Sequence, residues 1–148
     1  MESLVPVQDT SVALRCKMSG PSTSLDGIKA VFLDLDGTIY LGSNLIEGAE
    51  SFLSRLEESG IRRFFLSNNS SKSVGQYLEK LHGLGISASA DEILLSTHDL
   101  ISWLRENSID QTYLVGTEGM REMLESVDVN TVSENPQYVV LGYDTEIT

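Results

Sequence analysis

Two short stretches of this 148-residue chain carry side chains whose types and spacing could do chemistry. The first, Asp34-Leu35-Asp36-Gly37-Thr38, follows directly on the apolar run Ala30-Val31-Phe32-Leu33. On an extended backbone, two carboxylates two residues apart leave on the same face. Crowded carboxylates repel, and a divalent cation compensates; an all-oxygen donor set favours Mg²⁺. One carboxylate can then attack phosphorus while the other handles protons. Gly37 permits backbone angles that other residues resist and lets a ligand come close, and Thr38 offers a hydroxyl. Asp and Gly also serve plain turns. Four specified residues in five positions, however, arise by chance in only about one or two chains per thousand of this length, which tips the reading towards a site. The second stretch, Ser67-Asn68-Asn69-Ser70-Ser71, follows the apolar Phe64-Phe65-Leu66. Hydroxyl, amide and backbone N–H donors at the head of a helix make an anion site, and Lys72 adds a positive charge close by. Such residues also cap helices and fill loops routinely. Beside Asp34 and Asp36, the phosphate-binding reading prevails.

Positioning these stretches needs strands and helices in alternation. Ala30 to Leu33 suits a strand buried on both faces. Residues 48–59 read as a helix with Ala49, Phe52, Leu53 and Leu56 on one side and Gly60 as its stop. Phe64 to Leu66 form the next strand. Ser71 or Ser73 caps a second helix whose apolar face is Val74, Tyr77, Leu78 and Leu81, and Gly83 and Gly85 end it. The alternation continues with the short run Ile93-Leu94-Leu95, a helix over 98–107 carrying Leu100, Ile101, Trp103 and Leu104, and the strand Tyr113-Leu114-Val115. A helix over 118–127 follows, with Met120, Met123, Leu124 and Val127 inward, and then the strand Tyr138 to Leu141. This order predicts an α/β fold with a parallel sheet. In such sheets ligands bind beyond the carboxyl ends of the strands, where both stretches fall.

Composition agrees with a folded, water-exposed domain: 41% of residues are apolar and 22% charged. No apolar run approaches the roughly 20 residues that span a bilayer, so no membrane role is expected. Cys16 is the sole cysteine, which excludes an intramolecular disulfide and points to the reducing cytoplasm. Residues 1–27 are rich in Ser, lack a sustained apolar stretch and read as a disordered leader or extension. The charge is uneven. Residues 1–90 hold 10 acids and 8 Lys or Arg, a balance of −2; residues 91–148 hold 12 acids and only Arg105 and Arg121, a balance of −10. Nucleic acid is therefore not expected as a partner. The shift near residue 90 suggests a boundary between one portion over 28–90 and a second over 91–148.

The fuller stretch Ala30-Val31-Phe32-Leu33-Asp34-Leu35-Asp36-Gly37-Thr38 resembles the first motif of the haloacid dehalogenase superfamily of phosphatases. Phe65-Leu66-Ser67-Asn68-Asn69-Ser70 resembles its second. Ile39-Tyr40-Leu41-Gly42, Ile46-Glu47-Gly48-Ala49 and the late segment from Tyr138 to Thr148 are similar to the class IIA branch. That branch has a large α/β cap after the second motif and includes 4-nitrophenylphosphatases and sugar-phosphate phosphatases. The resemblance covers residues 28–148 and implies the first half of a Rossmann-like core followed by the first part of an α/β cap. It implies that Asp34 is the nucleophile, forms a phosphoaspartate and binds Mg²⁺. Asp36 would protonate the leaving oxygen, then activate water, with its backbone carbonyl on the metal. Ser67, with Asn68 and Asn69 beside it, would bind the transferring phosphoryl group, and Gly37 and Thr38 would shape the phosphate loop. The family's third motif supplies a Lys and its fourth further acids, both after the cap. Lys17, Lys29, Lys72 and Lys80 stand in no matching context, and Asp144 and Glu146 match a cap segment.

The leading expectation is thus a Mg²⁺-dependent phosphomonoester hydrolase acting on small organic phosphates, of which this chain represents the N-terminal part. Strand edges left without neighbours would favour self-association into a homo-oligomer. The alternative is a non-catalytic remnant that binds a phosphate-bearing ligand or a partner protein. A two-component receiver domain, also α/β and phosphorylated on aspartate, needs its acceptor on a later central strand followed by a hydroxyl residue and a Lys. No such series occurs after residue 90.

Overall fold

The computed structural model describes Leu25 and residues 27–145. The leader read over 1–27, with Cys16, lies outside them apart from Leu25 and Gly27, and so do residues 146–148. The order of elements is β1 (Ala30–Asp34), β2 (Tyr40–Leu41), β3 (Asn44–Leu45), α1 (Ala49–Glu58), β4 (Arg62–Ser67), α2 (Val74–Gly83), β5 (Ile93–Leu95), α3 (Ser96–Glu106), β6 (Thr112–Val115), α4 (Glu118–Glu125) and β7 (Tyr138–Leu141). This is the α/β fold that the alternation of apolar runs and amphipathic helices predicts.

Strands β1, β4 and β5 form one parallel sheet in the order β1-β4-β5. Helix α1 connects the first pair and α2 the second. Asp34 lies opposite Leu66 in the register, and Ser67 lies opposite Leu95. The carboxyl ends of β1 and β4 therefore fall side by side. Leu33, Leu35, Phe65, Tyr77 and Leu81 are buried in the core beside them. Helix α2 starts where its chemistry dictates. Of the two candidate caps, Ser73 is the one used: its Oγ accepts from Gln76 N, and the Gln76 side chain accepts from Ser73 N at 2.8 Å.

One expectation is corrected. Ala30 to Leu33 is not covered on both faces: Leu33 is buried, but Phe32 is 60% exposed and stacks on Phe64 with ring centroids 5.1 Å apart. An apolar run says that both faces of a strand suit burial; it does not supply the element that buries the second. On α3, Trp103 is 44% exposed and meets Tyr138 edge-on at 5.4 Å. Strand β5 lies past the charge shift near residue 90 and adds to the first sheet.

Strands β6 and β7 make a second parallel pair, with α4 between them. Met120, Met123 and Leu124 of α4 are buried, as their helical spacing predicts. This unit docks on the segment that precedes α2. Thr117 Oγ1 donates to the Ser71 carbonyl at 2.7 Å in a buried contact, and Tyr143 N donates to Ser70 Oγ at 2.9 Å. Among the described residues no helix is long and apolar enough to cross a membrane.

Candidate active site

The first carboxylate, Asp34, is the last residue of β1, and the chain then turns. Leu35 and Ile39 are buried and pin the turn to the core. Gly37 adopts φ 90° there, a left-handed angle that a side chain would strain. Its N–H donates to the Tyr40 carbonyl at 2.8 Å, and the Thr38 N–H donates to the Leu35 carbonyl at 3.3 Å. Both N–H groups are spent inside the turn, so Gly37 and Thr38 contribute shape and one hydroxyl. That hydroxyl, Thr38 Oγ1, donates to Asp34 Oδ2 at 3.2 Å. Buried Leu35 lies between two exposed carboxylates, so the alternation of β1 continues to Asp36, one residue past Leu35.

Asp36 is held on both oxygens. Tyr40 OH donates to Oδ2 at 3.3 Å, and Lys80 Nζ lies 3.7 Å from Oδ1. The same ammonium sits 3.6 Å from the centroid of the Tyr40 ring. Burial, then the Asp36 carboxylate, pushes the Tyr40 phenol far above its ordinary range, so it stays a donor. Burial lowers the Lys80 ammonium, opposed by the attraction of Asp36 and assisted by the like charge of Lys72.

The second stretch begins at Ser67, the buried last residue of β4. Its Oγ shares a 2.7 Å hydrogen bond with Tyr77 OH and accepts from Asn69 N at 3.2 Å. Asn69 Oδ1 accepts from Ser71 N at 2.9 Å, and the Asn68 carbonyl accepts from Ser96 Oγ at 3.3 Å. Burial raises the Tyr77 phenol; the Ser67 contact lowers it, and the charges of Asp36 and Asp34 raise it further. The Lys72 ammonium is 5.7 Å from the centroid of the Tyr77 ring.

The sheet register thus brings Asp34 and Ser67 to one end of adjacent strands, with Asp36 on the turn beside them. Tyr40, Tyr77 and Lys80 touch these side chains in ways that the motifs do not reveal. A buried Tyr at a helical core position and a Lys one residue before a core Leu look like packing and a solvated charge until the helix is docked. Among the described residues no group of three or more His, Cys, Asp and Glu could hold a metal. The donors present are hard oxygens on two carboxylates. That suits Mg²⁺, which takes one or two carboxylates and completes its shell with water and substrate phosphate. A cavity of about 330 Å³ opens elsewhere, against α2, α3 and α4, lined by Ser73, His98, Ile101 and Met123 among others and by neither carboxylate.

Residues 31–130 match the family model described as haloacid dehalogenase-like hydrolase. An acid sugar phosphatase of Staphylococcus aureus is 35% identical over 122 residues, covering 81% of this chain and 47% of that protein. The solved structure of a 4-nitrophenylphosphatase from Thermotoga maritima superposes with a TM-score of 0.78 at 34% identity, covering 84% of this chain and 48% of that one. A glycerol phosphate phosphatase from Mycobacterium tuberculosis, solved with magnesium, gives a TM-score of 0.73 at 26% identity, covering 82% and 38%. The chain spans about half the length of the curated relatives it matches.

Proposed function

This chain belongs to the haloacid dehalogenase-like hydrolase family, and from that premise we propose that it carries the nucleophile half of a Mg²⁺-dependent phosphomonoester hydrolase. Its substrate class is a small organic phosphate. The observation that carries the reading is the juxtaposition of Asp34 and Ser67 at the carboxyl ends of paired parallel strands, with Asp36 on the adjoining turn.

In the first step an Asp34 carboxylate oxygen attacks phosphorus. The phosphorus–ester oxygen bond breaks, and the departing oxygen takes a proton from Asp36. A phosphoaspartate is left on Asp34. In the second step the Asp36 carboxylate removes a proton from water, whose oxygen attacks phosphorus. The bond to Asp34 breaks, releasing inorganic phosphate and restoring both carboxyl groups. Ser67 Oγ binds a phosphoryl oxygen, with Asn68 and Asn69 continuing that wall of the loop. Thr38 orients Asp34 through its hydroxyl. Asp34 and the backbone carbonyl of Asp36 would hold Mg²⁺, consistent with an Asp36 side chain that already has two protein partners. Bound there, the cation would neutralise charge that accumulates on the phosphoryl oxygens during transfer.

The test is hydrolysis of p-nitrophenyl phosphate with Mg²⁺ and with excess chelator, Asp34→Asn alongside. The expected outcome is turnover that needs metal and falls at least about 10³-fold in the variant, because a covalent route has no substitute for its nucleophile. Turnover equal in wild type and variant would remove Asp34 from the mechanism. A second reading, a chain that binds a phosphate ester or a partner protein without turnover, is favoured by the exposed Phe32 on a strand that is outermost among the described residues. It predicts phosphate binding with no hydrolysis.

A further inference from the structure

We propose that Lys80 and Tyr40 form a positioning pair that holds the Asp36 carboxylate in one orientation for proton transfer at the ester oxygen. The proposal rests on the reading of Asp36 as acid and base given above. Its geometry is independent of that reading. Two side chains reach the same carboxylate from different elements: the Tyr40 hydroxyl from β2 donates to Oδ2 at 3.3 Å, and the Lys80 ammonium from α2 makes an ion pair with Oδ1 at 3.7 Å. They are also joined to each other. The Tyr40 ring is wholly buried and forms a floor beneath the ammonium, 3.6 Å from centroid to Nζ. Tyr40 therefore acts twice, donating to the carboxylate and fixing the cation that grips its other oxygen.

An ordinary surface ion pair does not explain this arrangement. Exposed pairs stabilise a fold very little, because two long side chains lose entropy to hold one geometry in water. The Asp36 side chain is 56% exposed, whereas that of Lys80 is 23% exposed. A mostly covered lysine, seated on the Tyr40 ring, is thus turned towards a carboxylate left open to solvent. Asp34 is held differently, by the hydroxyl of its loop neighbour Thr38. The difference matches the two roles. A proton donor must sit within hydrogen-bond reach of one oxygen and stay there, and small misplacement is costly. The nucleophile needs one oxygen free to form a bond.

The decisive measurement is the χ1 rotamer of Asp36 in the full chain, from NMR three-bond couplings to its carboxyl carbon. Lys80→Arg, Lys80→Met and Tyr40→Phe are compared with wild type, and their amide spectra report folding. The expected result is one rotamer in wild type and Lys80→Arg, and averaged couplings at Asp36 but not Asp34 in Lys80→Met and Tyr40→Phe. Averaging already present in wild type, or couplings unchanged in every variant, overturns the proposal. Turnover adds an arm that a merely structural lysine would not move. A p-nitrophenolate leaves without a proton, whereas an alkoxide needs one. Lys80→Met should therefore lower kcat on an alkyl phosphate about tenfold more than on p-nitrophenyl phosphate, with Lys80→Arg restoring most of the loss. Equal losses on both esters overturn the positioning role. Absence of any turnover in the wild-type chain would sink the hydrolase reading instead, and the Asp36 couplings would still decide this one.

Discussion

The hydrogen bond between Ser67 Oγ and Tyr77 OH, 2.7 Å long and buried, ties the hydroxyl that ends β4 to a side chain of α2. Removing the phenol with Tyr77→Phe leaves Ser67 without that partner and should cost about 1 kcal/mol of stability near neutral pH. The pH dependence is more specific. An unfolded tyrosine ionises near 10, and the folded Tyr77 does so at higher pH, mainly because it is buried. Below the unfolded value both states keep the proton and the full stability is present. Above it the unfolded chain ionises first, so stability falls as pH rises. Urea midpoints should drop between about pH 9 and about pH 11, less steeply in Tyr77→Phe; identical slopes would show that Tyr77 titrates normally. At this scale much of the candidate site was legible. Asp34, Asp36, Gly37, Thr38 and Ser67 lie in contiguous motifs after apolar runs, where local chemistry and the direction of the strand suffice. Lys80 was not legible, because nothing local distinguishes it from Lys72 until α2 turns it over Tyr40.

Gly119, at the start of α4, shows what element docking demands. Its backbone lies outside the left-handed region, so its role is space. An added Cβ would press on the Gln76 side-chain oxygen, lie 2.8 Å from Ser73 N and stand 3.1 Å from Lys72 Cα. These atoms belong to the capping box of α2 and the residue before it. Gly119→Ala should therefore destabilise the chain by about 1–3 kcal/mol, read as a lower urea midpoint. An unchanged midpoint would mean that α4 moves away at no cost. Sequence periodicity found all four helices, yet it set the start of α3 at residue 98, whereas the helix begins at Ser96. The cause is a side chain: His98 Nδ1 accepts from Leu95 N at 3.1 Å and caps the turn before the apolar spacing begins. A histidine is an uncommon capping signal, and the periodic pattern does not register it.

On the scale of the molecule, β1 is an outer strand of its sheet among the described residues, with Phe32 exposed beside Phe64. Leu141, in β7, is 77% exposed. A strand edge without a neighbour among the described residues, next to stacked aromatic rings, favours pairing with another chain. Sedimentation velocity should show association that grows with protein concentration, and Phe32→Lys should weaken it by placing a charge in the apolar contact. A chain that remains monomeric at high concentration would count against an adhesive β1 face. The sequence by itself determined which residues can carry chemistry, and that they end strands of a parallel α/β sheet. Those features are written locally, in a motif after an apolar run and in the alternation of strand and helix periods. Tertiary structure decided which partners meet them: Lys80 and Tyr40 about Asp36, Tyr77 on Ser67, and Thr117 and Gly119 against residues 71–73. Most of these pairings span many residues and depend on the rotation and depth at which helices pack. Local pattern constrains which face of a helix is buried, and only packing selects the atom that each side chain finally touches.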